Sequence, residues 1–157
     1  MSVKFGTKQD IEAPIEFVFA QITDFKMIER AAMRRGAEVQ RIDSLTGNAP
    51  GMAWEAKFEW RGKTREVALK LTKYDPPNGL VMGLLSPNLE GVMLAELVAL
   101  SRARTRVALD LDLEPRTLSA KLLVQSMKLA RKTLLNRMQQ RMASYAEEIE
   151  RRYKQSA

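Results

Sequence analysis

The chain has 157 residues, 45% hydrophobic and 29% charged, with a net charge of +7 and a pI near 9.9. It contains neither cysteine nor histidine. That excludes disulfides, thiolate metal sites, His-ligated zinc or iron, and Ser–His or Cys–His nucleophile pairs. Catalysis would fall to carboxylates, lysine, tyrosine or ordered water, and no acidic cluster suggests a carboxylate metal site.

This length suits one domain over 1–157 with a sizeable core. The longest apolar runs fall short of the about 20 residues that span a bilayer. The opening MSVKFGTKQDIEAP alternates and carries acids, unlike a signal peptide, so a cytoplasmic setting is the default. The positive charge is uneven: from Thr117 onward there are nine Lys/Arg against three Glu.

In chain order, Val3–Ile11 alternates as a strand, and Pro14 opens a helix containing Phe17, Val18, Ala20 and Ile22. A second short helix is expected over Phe25–Met33, stopped by Gly36. Ala37–Ser44 reads as a strand. Met52–Trp60 (MAWEAKFEW) sets Met52, Trp54, Ala56, Phe58 and Trp60 on one face and Ala53, Glu55, Lys57 and Glu59 on the other. Arg61-Gly62-Lys63 predicts a hairpin into Thr64–Tyr74, and Asp75-Pro-Pro-Asn-Gly79 a turn. Leu80–Leu85 and Val92–Leu100 are apolar on both faces, as central, well-covered strands would be. Thr105–Leu113 alternates until Pro115. Apolar residues then recur in steps of three and four (Ala120, Leu123, Met127, Ala130, Leu134, Met138, Met142, Tyr145, Ile149), predicting one long helix over Thr117–Tyr153.

The order β-α-α-β(6)-α predicts an α+β fold in which a curved antiparallel sheet wraps around the carboxyl-terminal helix. Such a sheet cannot close on one helix along its whole length, so a gap is expected between them. The stretch IEAPIEFVFAQITDF (11–25), this order and the terminal helix after LDLDLEP (109–115) resemble the START-like, polyketide cyclase and lipid-transport superfamily, the helix-grip fold. Where many members carry an aromatic or Trp-Pro element after the Asp of the second helix, Asp24 is followed by FKMIERAAM. The resemblance implies a cavity between sheet and long helix that takes lipids, sterols, quinones or polyketides. It supplies no catalytic residue and no cofactor.

Trp54, Phe58, Leu69, Met82, Leu109, Leu111, Leu123 and Met127 are expected to point between sheet and helix. An empty void of even ~300 Å³ would cost about 7 kcal/mol. A chamber there is therefore filled, hydrated or partly collapsed. Met52, Met82, Met93, Met127 and Met138 add adaptable surface. Glu96, inside VMLAELVAL, is a candidate polar anchor or general acid; a surface position on the convex face, or a buried pair with Arg65 or Lys70, are its alternatives. On the terminal helix, Lys121, Lys128 and Lys132 flank Leu118, Leu122 and Leu129, which suggests contact with an anionic membrane or a second copy of the chain. Nucleic acid is a weaker partner, because no aromatic platform or glycine-rich loop accompanies the charge.

The expected function is binding or transport of a hydrophobic small molecule. The alternatives are a cyclase or dehydratase working through carboxylates and water in the same cavity, and an interaction module.

Overall fold

The computed structural model describes residues 2–156. The elements are β1 (Val3–Ile11), α1 (Ile15–Ile22), α2 (Phe25–Arg34), β2 (Glu38–Arg41), β3 (Ala53–Trp60), β4 (Lys63–Asp75), β5 (Gly79–Leu85), β6 (Leu89–Ser101), β7 (Arg104–Pro115), α3 (Leu118–Leu129) and α4 (Arg131–Ser156). Pro14 is the N-cap of α1, fixed in extended backbone. Asp24 caps α2 by accepting from the Met27 amide, and Gly36, at φ +96°, supplies the left-handed backbone beyond the end of that helix.

All seven strands are antiparallel in one sheet, ordered β1-β7-β6-β5-β4-β3-β2. The chain's first strand thus pairs with its last. Leu71, Met82, Met93, Leu111 and Phe5 stand in one row across five strands, which fixes the inner face. The β3–β4 hairpin turns at Arg61 and Gly62, both at positive φ, as a tight two-residue turn requires.

Helix α4 packs on β1 and α1. Its Ala146 and Ile149 are buried with Ile11, Ala13, Val18, Phe19, Leu97 and Val107. Tyr145 donates its hydroxyl to the Gln21 carbonyl at 3.0 Å, and Arg152 donates to the Gln21 side chain at 2.9 Å. Helix α3 makes its main sheet contacts with β7 and β1. Its Val124 and Met127 are buried against Val3 and Phe5. The two helices therefore cover the β1–β7 half of the concave face.

Three expectations need correction. The terminal helix is not one piece: Ala130 leaves helical backbone (φ −93°, ψ 11°) and divides α3 from α4. The hydrogen bonds Ala130 to Ser126 and Leu134 to Ala130 survive on either side, so the rod continues through a single-residue interruption. The strand expected over Ala37–Ser44 pairs only over Glu38–Arg41, because Asp43 turns away to bind the Arg41 guanidinium and two backbone amides. Finally, β6 is not covered on both faces: Val98 is 55% exposed on the outer side, where Val92 is exposed as well.

Candidate functional site

Between α3 and the β2–β5 half of the sheet lies a cavity of about 1110 Å³. Helix α2 closes one end with Phe25, Ile28 and Ala32. The floor comes from alternate residues of β3 and their cross-strand neighbours: Trp54 opposite Leu69, Ala56 opposite Val67, Phe58 opposite Arg65, with Leu84 beside Leu69. Met82 extends the floor, and Ala120, Leu123 and Met127 of α3 form the roof. The β5–β6 turn (Ser86, Pro87, Asn88), Ser119 and Leu122 complete the wall. Native packing leaves few voids larger than a water molecule, so a space of this size is no packing defect. Ligand pockets typically hold about 300–1,000 Å³.

Local sequence explains the opening. α3 is held to the sheet at β7 and β1, while the β3–β4 hairpin reaches across to it. There Arg61 donates to the Ser126 hydroxyl, and its guanidinium lies 4.6 Å from the Trp60 ring centroid. Trp60 packs against the cluster containing Val124 and Met127. Gly91 is buried in the floor, where a Cβ would meet the Leu113 side chain at 2.7 Å. A side chain at this position would require the Leu113 side chain to shift.

The expected residues divide. Trp54, Phe58, Leu69, Met82, Leu123 and Met127 line the cavity. Leu109 and Leu111 lie on the inner face but pack into the clusters of Met52 and Trp54, and of Val3 and Phe5, outside the cavity wall. Glu96 does not reach the interior. Ala95 and Leu97 are buried on either side of it, so strand alternation turns Glu96 to the exposed outer face beside Gly79 and Ala108. Among the described residues, neither Arg65 nor Lys70 forms an ion pair with it.

The wall also includes residues that strand patterning did not single out: Phe25, Ile28 and Ala32 of α2, and Val39 of β2. Their signal was the i, i+3, i+7 spacing of Phe25, Ile28 and Ala32. Phe25 packs on Trp54 with ring centroids 5.1 Å apart. Trp54 Nε1 and Glu29 Oε2, both on wall residues, are shielded from solvent and have no hydrogen-bond partner. Arg41 lies 6.0 Å from the Trp54 ring centroid. Asp43 grips that guanidinium at 2.8 and 2.9 Å and accepts from the Leu45 and Ala53 amides. These bonds hold the Asp43 carboxyl well below the usual carboxylate range, the Arg41 side chain contributing most.

On α3, Leu118 and Leu122 are exposed and Leu129 is 91% exposed; Lys121 and Lys128 lie on the same helix and Lys132 on the first turn of α4. Leu122 reaches the rim of the cavity. Among the described residues, no helix is long and apolar enough to cross a membrane, and no group of three acidic side chains could hold a metal.

A seven-stranded antiparallel sheet gripping a long carboxyl-terminal helical rod around such a cavity is the START-like helix-grip fold. The structure is similar over nearly its full length to the Zhui aromatase/cyclase from Streptomyces sp. R1128, with a TM-score of 0.68 and 15% identity over 97% of this chain and 96% of that one. It is similar to norcoclaurine synthase from Thalictrum flavum (TM-score 0.65, 8% identity, 96% and 86% covered). It also resembles a START superfamily protein from Mycobacterium smegmatis (TM-score 0.58, 14% identity, 87% and 97% covered). At these identities the likeness defines the fold. No protein-family profile matches the sequence, and no curated protein does.

Proposed function

We propose that the chain binds or transports a hydrophobic small molecule (a lipid, quinone, sterol or polyketide-like compound) in the cavity between α3 and strands β2–β5, without catalysing a reaction on it. The carrying observation is the cavity itself: about 1110 Å³, floored by Trp54, Phe58, Leu69 and Met82 and roofed by Leu123 and Met127. Apolar surface held open in this way gains free energy when a ligand covers it. The similar folds of a polyketide aromatase/cyclase and a START superfamily protein support the same reading.

Delivery fits a cytoplasmic protein that meets anionic membranes through α3. Leu118, Leu122 and Leu129 offer apolar contact, Lys121, Lys128 and Lys132 offer charge, and Leu122 joins this face to the cavity rim. Flotation with anionic vesicles but not neutral ones is the expected behaviour. A homodimer through the same leucines is the alternative outcome, read by light scattering.

The main test is native mass spectrometry of the purified protein, joined to a thermal-shift screen of quinones, sterols, fatty acids and flavonoids. A co-purifying apolar compound, or a rise in Tm, is expected, because binding only the folded state stabilises it. No adduct and no shift would sink the reading. Glu29 favours the cyclase or dehydratase alternative, since it places a carboxylate in the wall with one oxygen unpartnered. Turnover abolished by Glu29→Gln with binding retained would decide for that chemistry.

A further inference from the structure

From Pro115 through Ala146 the chain has no acidic residue, while seven lysines and arginines fall in that span. Two of them, Arg137 and Arg141, sit one turn apart on α4, a spacing at which like charges repel. They line a separate cleft of about 750 Å³ together with Gln140, Ser144 and Tyr145 of α4 and Arg35 at the end of α2. None of these residues belongs to the wall of the apolar cavity.

Elsewhere many arginines find carboxylates: Arg41 pairs with Asp43, Arg104 and Arg106 with Asp10, and Arg151 and Arg152 with Glu148. The cleft is lined by three arginines and no acid. Among the described residues, the guanidinium groups of Arg35, Arg137 and Arg141 have no ion pair and no hydrogen bond. Three cations drawn around one concavity raise the local positive potential and attract an anion of more than one charge. Planar guanidinium forks match oxyanions two oxygens at a time. Gln140 and Ser144 add neutral donors. The Tyr145 hydroxyl is committed to the Gln21 carbonyl, so its ring serves as wall.

We propose that this cleft binds a phosphoryl group, carried either by a free phosphate compound or by a lipid headgroup. A phosphoryl dianion offers three terminal oxygens to three guanidinium groups and disperses their mutual repulsion. This site is independent of the apolar cavity and of the leucine face of α3.

The test titrates the full chain with inorganic phosphate and pyrophosphate by calorimetry at low ionic strength, and with vesicles containing phosphatidic acid by flotation. Saturable binding of pyrophosphate or of the vesicles, weakened by salt, is expected. Arg137→Gln and Arg141→Gln should each weaken it about tenfold, the loss of one charge-assisted hydrogen bond. Lys70→Gln, an exposed position outside both the cavity and the cleft, should leave pyrophosphate binding unchanged. Both arginines are exposed on a helix that glutamine favours, so their variants should melt no lower than the parent without ligand. Vesicle binding without pyrophosphate binding, weakened in both arginine variants although the leucine face of α3 is intact, assigns the lipid source. Absence of both, or binding indifferent to Arg137→Gln and Arg141→Gln, overturns the proposal. A fall in ligand-free Tm in those variants would mean that the arginines serve the fold instead.

Discussion

Phe58→Ala removes a side chain that the fold leaves partly uncovered and that a cavity ligand would cover. Phe58 is 38% exposed and belongs to none of the three buried clusters. A phenylalanine side chain presents about 200 Å², so about 75 Å² remains for a ligand to bury. At about 25 cal/mol per Å², full coverage is worth about 1.9 kcal/mol, or roughly 25-fold in Kd. Coverage of half that surface still gives about fivefold. The variant should stay folded, since the usual cost of about 3–5 kcal/mol for Phe→Ala applies to fully buried rings. The assay is a fluorescence titration with the fatty acid cis-parinaric acid, with Leu129→Ala as a control outside the cavity wall. Weakening of about 5- to 25-fold for Phe58→Ala and none for Leu129→Ala is expected. A Kd for Phe58→Ala within about twofold of the parent would refute the placement of the ligand against β3.

Three further outcomes follow from the same geometry. Glu96→Gln should leave affinity and Tm unchanged in the same titration and in a thermal melt, because Glu96 faces out from β6 between buried Ala95 and Leu97. Asp43 has a folded-state pKa lowered by Arg41 and two amides; its stabilising effect is full above the ordinary carboxylate pKa of about 3.9 and is lost as pH falls toward its lower folded value. A Tm-against-pH series should therefore decline more steeply below that pH for the parent than for Asp43→Asn, with the parent more stable at neutral pH. Thr105 is fully buried and donates to the Ala13 carbonyl at 2.8 Å; Thr105→Val orphans that carbonyl, and chemical denaturation should read a loss of about 1–3 kcal/mol.

Much of the architecture was legible because the period-2 and period-3.6 patterns are long and uninterrupted. Trp54, Phe58, Leu69 and Met82 fall on one face by alternation alone, and register then brings Trp54 opposite Leu69. The apolar steps on the terminal rod locate its buried face as well. They run straight through Ala130, where neither proline nor glycine marks the interruption, so the local sequence carries no sign of it. The end of β2 was hidden for a related reason: Asp43 competes with the ladder through side-chain hydrogen bonds that depend on Ala53, ten residues away. For Glu96 the outer-face alternative holds in place of the polar anchor, a choice the apolar run VMLAELVAL leaves open because it does not reveal which face is covered. Only the burial of Ala95 and Leu97 sets its direction. The i, i+3, i+7 spacing puts Phe25, Ile28 and Ala32 on one face of α2, but that this face docks against Trp54 as an end wall is a tertiary fact outside the helix's own pattern.

A structure of the chain with a bound fatty acid, or intermolecular NOEs from a methyl-labelled sample, tests the central claim most directly. Contacts from the acyl chain to Leu69, Met82, Leu123 and Met127 are the predicted result. Contacts confined to Val92 and Val98 on the outer face, with the chamber side chains unperturbed, would contradict it.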